Sequence, residues 1–113
     1  MLSNFQKKVY SLLREIPKGR ITTYKLIAER LGTKAYRAVG LACAKNPYAP
    51  HVPCHRVVKS NGYLGGYSGG LSKKIALLRN EGIEIRDNNI QEMERYLYRC
   101  LKKISDEPED YKK

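Results

Sequence analysis

The chain has no Cys-x-x-Cys pair, only two histidines, and only 3 acidic side chains in its first 82 residues. It also has no apolar run approaching the roughly eighteen residues a membrane-spanning helix needs. Each absence removes a class of function. Three cysteines, Cys43, Cys54 and Cys100, do not make a secreted disulfide framework. At least one thiol is free, and a reducing compartment is expected. A metal site would draw on Cys43, His51, Cys54, His55 and Cys100, none of which pair at the short spacing of a zinc knuckle, so no metal is expected. The start, MLSNFQKKVYSLLREI, has charges within its apolar pattern and no small-residue cleavage site, so an intracellular protein away from membranes is expected.

The shortage of acid is local. Residues 1–82 carry 15 Lys and Arg against 3 Asp and Glu, whereas residues 83–113 carry 7 against 8. The formal net charge of +11 therefore belongs to the first part. A basic field of this density is the footprint of a polyanion, because each Lys or Arg set against a phosphate releases a condensed counterion. The bland alternative is a solubilising lysine-rich surface.

At 113 residues the chain fits one domain. Ser3-x-x-Gln6 is a capping-box pattern, and Phe5, Val9, Leu12, Leu13 and Ile16 follow at helical spacing, predicting a helix over 4–15 that stops at Pro17-Lys18-Gly19. Thr23 can cap a helix over 24–31 that ends at Gly32, and Thr33 can cap another over about 34–45, rich in small residues and ended by Asn46-Pro47. Two short helices with a tight link resemble a helix-turn-helix. Arg56–Val58 and Tyr63-Leu64 around Asn61-Gly62 predict a β-hairpin, which would be a wing. Ser72 would cap a helix over 73–81, with Gly82 past its end and Ile83 for the hydrophobic contact. Ile90, Met93, Leu97, Cys100, Leu101 and Ile104 share one stripe, predicting a last helix over 90–104, packed over the core against helix one or forming a dimer seam. Residues 105–113 look frayed. The expected fold is mainly α: a winged helix-turn-helix-like domain with a short β-hairpin and an added carboxy-terminal helix.

Cys43 and Cys100 fall within apolar stripes and are expected in the core. Cys54 sits between Pro53 and His55, outside any stripe, near a basic helix and glycines 62, 65, 66, 69 and 70. That is the electropositive setting in which a thiol ionises. On residues alone it is a nucleophile or a buried loop thiol.

The run Pro53-Cys54-His55-Arg56-Val57 is joined by Arg37-Ala38-Val39-Gly40 and Asn46-Pro47 upstream, and by Gly66-Tyr67-Ser68-Gly69-Gly70 and Glu81-Gly82 downstream. Together they closely resemble the O6-alkylguanine-DNA alkyltransferases over about residues 4–85. The family's usual amino-terminal ribonuclease-H-like domain does not precede the match, and residues 86–113 lie outside the core pattern. A catalytic and DNA-binding domain over 1–85 and a helical extension and tail over 86–113 are therefore expected.

The resemblance implies direct reversal: the sulfur of Cys54 takes the alkyl group of O6-alkylguanine, with O4-alkylthymine a further candidate, irreversibly and without a cofactor. His55, through a bound water and oriented by Glu81, would be the base. Tyr24 would give a proton to the departing guanine, and Asn46 would brace the turn before the cysteine. The nucleotide must be flipped out of double-stranded DNA. Arg37 would fill the gap, with Thr23, Tyr24, Ala35, Ala38, Gly40 and Arg56 on the DNA side. The carbonyls of Cys54 and Val57 with Tyr67, Ser68 and Gly69 would form the base pocket. A monomer in the cytoplasm on the nucleoid, or in a eukaryotic nucleus, is implied. Two alternatives remain. One is the non-catalytic alkyltransferase-like proteins, which have tryptophan where this chain has Cys54; the other is a winged-helix regulator, which would leave the Pro-Cys-His-Arg-Val run without purpose.

Overall fold

A computed structural model describes residues 2–101 of the chain. Helix α1 spans Asn4–Leu13, and its capping box forms as the sequence predicts: Gln6 N–H donates to Ser3 Oγ at 3.1 Å and Ser3 N–H to Gln6 Oε1 at 2.9 Å. Its last turn tightens before Pro17, with Glu15 N–H on Leu12 O and Ile16 N–H on Leu13 O. Strand β1 (Thr22–Thr23) leads directly into α2 (Tyr24–Arg30), whose first turn is capped by Thr23 Oγ1. At its end Gly32 N–H reaches Glu29 O and Thr33 N–H reaches Ala28 O, two backbone bonds made possible by the left-handed Gly32. Helix α3 (Tyr36–Ala44) follows, starting two residues later than its small-residue run suggested. Thr33 caps the turn in front of it, accepting from Ala35 N–H at 3.1 Å, and not the helix itself.

Residues 54–58 make a 3-10 turn, Cys54–Arg56, and strand β2, Val57–Val58. Strand β2 pairs in parallel with β1, Thr22 opposite Val57 and Thr23 opposite Val58. The start of α2 and the cysteine turn are thereby fixed side by side. Helix α4 (Leu71–Asn80) begins at Gly70, whose φ of 97° lets the chain enter the helix before Ser72, so Ser72 lies inside the helix and is not its cap. Its end is as predicted: Gly82 N–H bonds Arg79 O, Ile83 N–H bonds Leu78 O, and Ile83 is buried.

Two expectations are corrected. The turn at 59–62 closes, with Gly62 N–H on Lys59 O and Lys59 N–H on Tyr63 O, but no hairpin ladder grows from it. The antiparallel hairpin among the described residues is β3 (Ile85–Arg86) with β4 (Asn89–Ile90), around Asp87 and Asn88, both at positive φ. That hairpin takes the pairing partners of 62–64: Ile90 N–H donates to Gly62 O at 2.9 Å and Leu64 N–H to Asn88 O at 3.0 Å.

The helix expected over 90–104 is only α5, Met93–Tyr96; Leu97 after it is extended, 98–101 form no regular element, and residues 102–113, the expected frayed tail among them, lie outside the described residues. The cause is a competing set of backbone partners. Ile21 N–H takes Tyr96 O, Tyr98 N–H takes Ile21 O, and the Arg20 guanidinium holds the carbonyls of Tyr96 and Leu97. Cys100, expected in the core, is exposed as a result.

Apolar side chains form two clusters. The first joins α1, α2 and α3 to Val52, Cys54, Val57 and Leu101; the second gathers Ile21, Val58, Leu64, Leu78, Ile83, Ile85, Ile90 and Tyr96. Successive residues of a strand point to opposite faces, so β2 is the seam, Val57 serving one cluster and Val58 the other. Part of the expected stripe thus does bury apolar surface, Leu101 within the cluster that holds α1, and Ile90 in the second with Met93 packed against it. No helix of the described residues is long and apolar enough to cross a membrane. Replacing Ile90, which is 6% exposed, by Ala should cost about 2–4 kcal/mol in urea denaturation. A loss near zero would show that residues beyond 84 stand outside the cooperative unit.

Candidate active site

Cys54 opens the 3-10 turn and is 2% exposed. Burial pushes its thiol above the ordinary value; hydrogen bonding with Asn46, the charge of Lys74 and hydrogen bonding with Ser68 pull it back, but not fully. Asn46 is held just past α3, its Nδ2 donating to Val52 O at 2.7 Å while its Oδ1 accepts from Tyr48 N–H at 2.9 Å. One amide thus closes the loop leading into the cysteine and touches the thiol.

The next residue faces a carboxylate. His55 Nε2 lies 2.9 Å from Glu81 Oε2. Burial would raise the Glu81 carboxyl, but hydrogen bonds from Arg56 and His55 outweigh it and hold it below the ordinary value. An ionised carboxylate only accepts, so Nε2 carries the proton and Nδ1 keeps its lone pair. That Nδ1 is buried with no partner among the described residues. Burial depresses the imidazole below its ordinary 6.5, against the opposing pull of Glu81. At rest, then, the thiol is neutral and so is the imidazole that follows it in the chain, whose Nδ1 lone pair is unused among the described residues; a base-assisted nucleophile needs an acceptor of that kind.

Lys74 was not foreseen as a site residue. It is fully buried on α4, and its Nζ donates to Val57 O at 2.7 Å, to Leu64 O and to Gly66 O at 3.1 Å. Burial lowers it to about 8. Three carbonyls satisfy three donors, which ties the cysteine strand to the glycine segment over 65–70. The signal for it was position: Lys74 stands four residues before the buried Leu78 and beside Ile75, on the inward row of α4, where a solvated lysine does not belong.

The glycine segment folds closely. A Cβ on Gly69 would stand 2.9 Å from the Tyr67 ring, and one on Gly65, already at φ 73°, would stand 3.1 Å from the Tyr24 hydroxyl. Tyr24, Arg37, Gly40, Lys59, Gly65 and Tyr67 are among the walls of an open cavity of about 800 Å³. Cys54 is not one of them.

The other residues singled out in the sequence fall as follows. Tyr24 begins α2, half-buried, its phenol pushed up by burial. Tyr67 meets the His55 ring edge-on at 6.3 Å, and Ser68 and Gly69 are exposed in the same segment. Arg37 is exposed on α3, as is Ala35 in front of it. Ala38 lines a separate cavity of about 210 Å³ with Phe5 and Leu41. Thr23 is buried, its hydroxyl spent on the α2 cap. Arg56, expected on the DNA side, is turned inward: Nε and Nη2 grip Glu81 at 2.9 and 2.8 Å, and Nη1 holds Ile16 O at 2.7 Å. Val57 O is occupied by Lys74, with a second lone pair left. Cys43 is buried, its thiol pushed up to about 12 by burial. No group of three or more His, Cys, Asp or Glu is placed to hold a metal among the described residues.

Residues 4–83 match the family described as 6-O-methylguanine DNA methyltransferase, DNA binding domain. A methylated-DNA--protein-cysteine methyltransferase of Methanosarcina acetivorans is 53% identical over 81 residues, 71% of this chain and 52% of that protein. The crystal structure of Mycobacterium tuberculosis OGT in complex with DNA is similar with a TM-score of 0.69 and 46% identity, covering 72% of this chain and 51% of that one. S. pombe Atl1, in complex with damaged DNA containing O6-carboxymethylguanine, is similar with a TM-score of 0.74 and 31% identity, covering 87% and 98%. The chain spans about half the length of the methyltransferases it matches.

Both Glu81 and His55 titrate below their ordinary values of 4.5 and 6.5. A depressed group contributes stability that is present above its unfolded pKa and lost as pH falls through the folded one. The unfolding free energy should therefore begin to fall below pH 6.5 and fall further below 4.5. Glu81→Gln should flatten the lower part of that curve, as measured by urea unfolding from about pH 8 to 4.

Proposed function

Because the chain belongs to the 6-O-methylguanine DNA methyltransferase family through its DNA-binding domain, we propose that it repairs DNA directly, moving the alkyl group of O6-alkylguanine onto its own Cys54. The observation that carries this is the buried Cys54 beside His55, whose Nδ1 is left as an acceptor by the bond from Nε2 to Glu81. The Cys54 sulfur forms a bond to the alkyl carbon while the bond from that carbon to O6 breaks, its electron pair passing to the guanine ring. The thiol's proton goes through a water to His55, Tyr24 supplies the proton the ring takes up, and both side chains are reset when His55 gives its proton to solvent and Tyr24 regains one from it. The net change is thiol plus alkylguanine to thioether plus guanine. A thioether has no easy leaving group, so each molecule acts once. O4-alkylthymine is a second substrate of the same chemistry.

Double-stranded DNA is the partner, met by a monomer through the basic α3 side. Flipping a base out of the stack costs a few kcal/mol, and Arg37, exposed at the cavity, fills the gap. Cys54 is buried, with Tyr67 packed against its cluster and Ser68 hydrogen-bonded to its thiol, so the base reaches it by displacing that segment. The division into a repair domain over 1–85 and an extension over 86–113 belongs to the same proposal.

A second reading, lesion binding without transfer, is favoured by the likeness to Atl1 bound to damaged DNA. One measurement separates them. After mixing with a duplex containing O6-methylguanine, intact mass should show one added methyl group per molecule, mapped to Cys54, and Cys54→Ser should keep binding but gain nothing. Tight binding with no gain in mass would replace transfer by lesion binding.

A further inference from the structure

Helix α3 presents one more side chain to the cavity, and nothing above uses it. Tyr36, the first residue of the helix, lines the cavity and is 41% exposed, among the few large apolar side chains left in solvent. Its ring and hydroxyl make no hydrogen bond or ring contact among the described residues, unlike Tyr63, whose ring lies 5.9 Å beneath Lys59 Nζ. Gly40 and Ala44, four and eight residues on, share its row and also line the cavity. Both are small, so the Tyr36 ring stands alone above that face of the helix, next in sequence to Arg37. Lys25 and Lys59 on the rim give the surroundings a positive charge.

An unpaired aromatic face at the rim of a basic cavity fits a flat, anionic polymer: a nucleic-acid base carried on phosphates. We propose that Tyr36 is a second wedge, stacking on the base that neighbours the vacated position while Arg37 occupies the vacancy. This rests on the repair reading. An arginine alone fills a gap and pairs with phosphate or base edges, but it leaves the neighbouring base with one face in water; a tyrosine ring beside it covers that face and slows the return of the extruded nucleotide. The hydroxyl is not needed for this, only the ring.

The test compares Tyr36→Ala and Tyr36→Phe with the wild type in single-turnover methyl transfer from a duplex containing O6-methylguanine, and in transfer from the free base O6-benzylguanine. A lost base–aromatic stack should slow the duplex reaction at least about fivefold in the Ala variant. The free-base reaction should be unchanged, and Phe should restore the duplex rate. With 2-aminopurine placed next to the lesion, on the Cys54→Ser background so that the complex persists, Tyr36→Ala should raise the fluorescence and Tyr36→Phe should not. Equal slowing on both substrates would make Tyr36 a pocket wall or a fold residue and overturn the proposal, as would an unchanged duplex rate or an unchanged 2-aminopurine signal. Wild type that binds the lesion but transfers nothing would sink the repair reading alone. In that event the fluorescence and duplex affinity of the two Tyr36 variants still decide the wedge.

Discussion

A single carboxylate holds the reactive part of the chain together. Glu81 accepts from His55, from two nitrogens of Arg56 and, at 3.4 Å, from Gly19 N–H, while Arg56 also reaches back to Ile16 O. The turn after α1, the cysteine turn and the end of α4 meet at that one group. A charge so far removed from water is tolerable only with partners on every side, so removing any one of them strands the others. The same bonds that fix the chain path also decide which nitrogen of His55 bears the proton.

Helix α4 supplies a second ionic post seven residues earlier. Lys74 grips the cysteine strand and the glycine segment, and Glu81 grips the other side of the same turn. Two turns of helix separate residues at that spacing on one face, which is how one helix clamps the turn with opposite charges. The hairpin β3–β4 works from outside, holding Gly62 and Leu64 through its backbone just before the glycine segment begins.

What could be read in advance was mostly local chemistry. The Ser3–Gln6 box, the Thr23 cap, and Gly82 with Ile83 depend on residues within one turn of each other, and the structure builds all three. The stretch after residue 90 failed because its apolar spacing fits a helix, whereas the outcome was settled by Ile21 and Arg20, some 75 residues away, competing for the carbonyls of Tyr96 and Leu97. The inward bonds of Arg56 and the burial of Lys74 were out of reach for a related reason. A charged side chain looks outward in sequence, and only tertiary placement shows that buried acceptors await it. The Cys54-His55 pair stood out because the Pro-Cys-His-Arg-Val run is contiguous, whereas its partners Asn46, Ser68, Lys74 and Glu81 come from other segments of the chain.

Strand β2 is two residues long, yet it is where two separate apolar clusters meet, Val57 on one side and Val58 on the other, directly after the cysteine turn. A core of ordinary design absorbs a lost or added methyl group by small shifts shared among neighbours. At this seam a change in either cluster bears on the strand that directly follows the cysteine turn. Two separate packings therefore bear on one two-residue strand, Leu13 lying in the cluster of Val57 and Leu78 in that of Val58. Arg86 and Asp87, exposed on the β3–β4 hairpin, stand outside both packings.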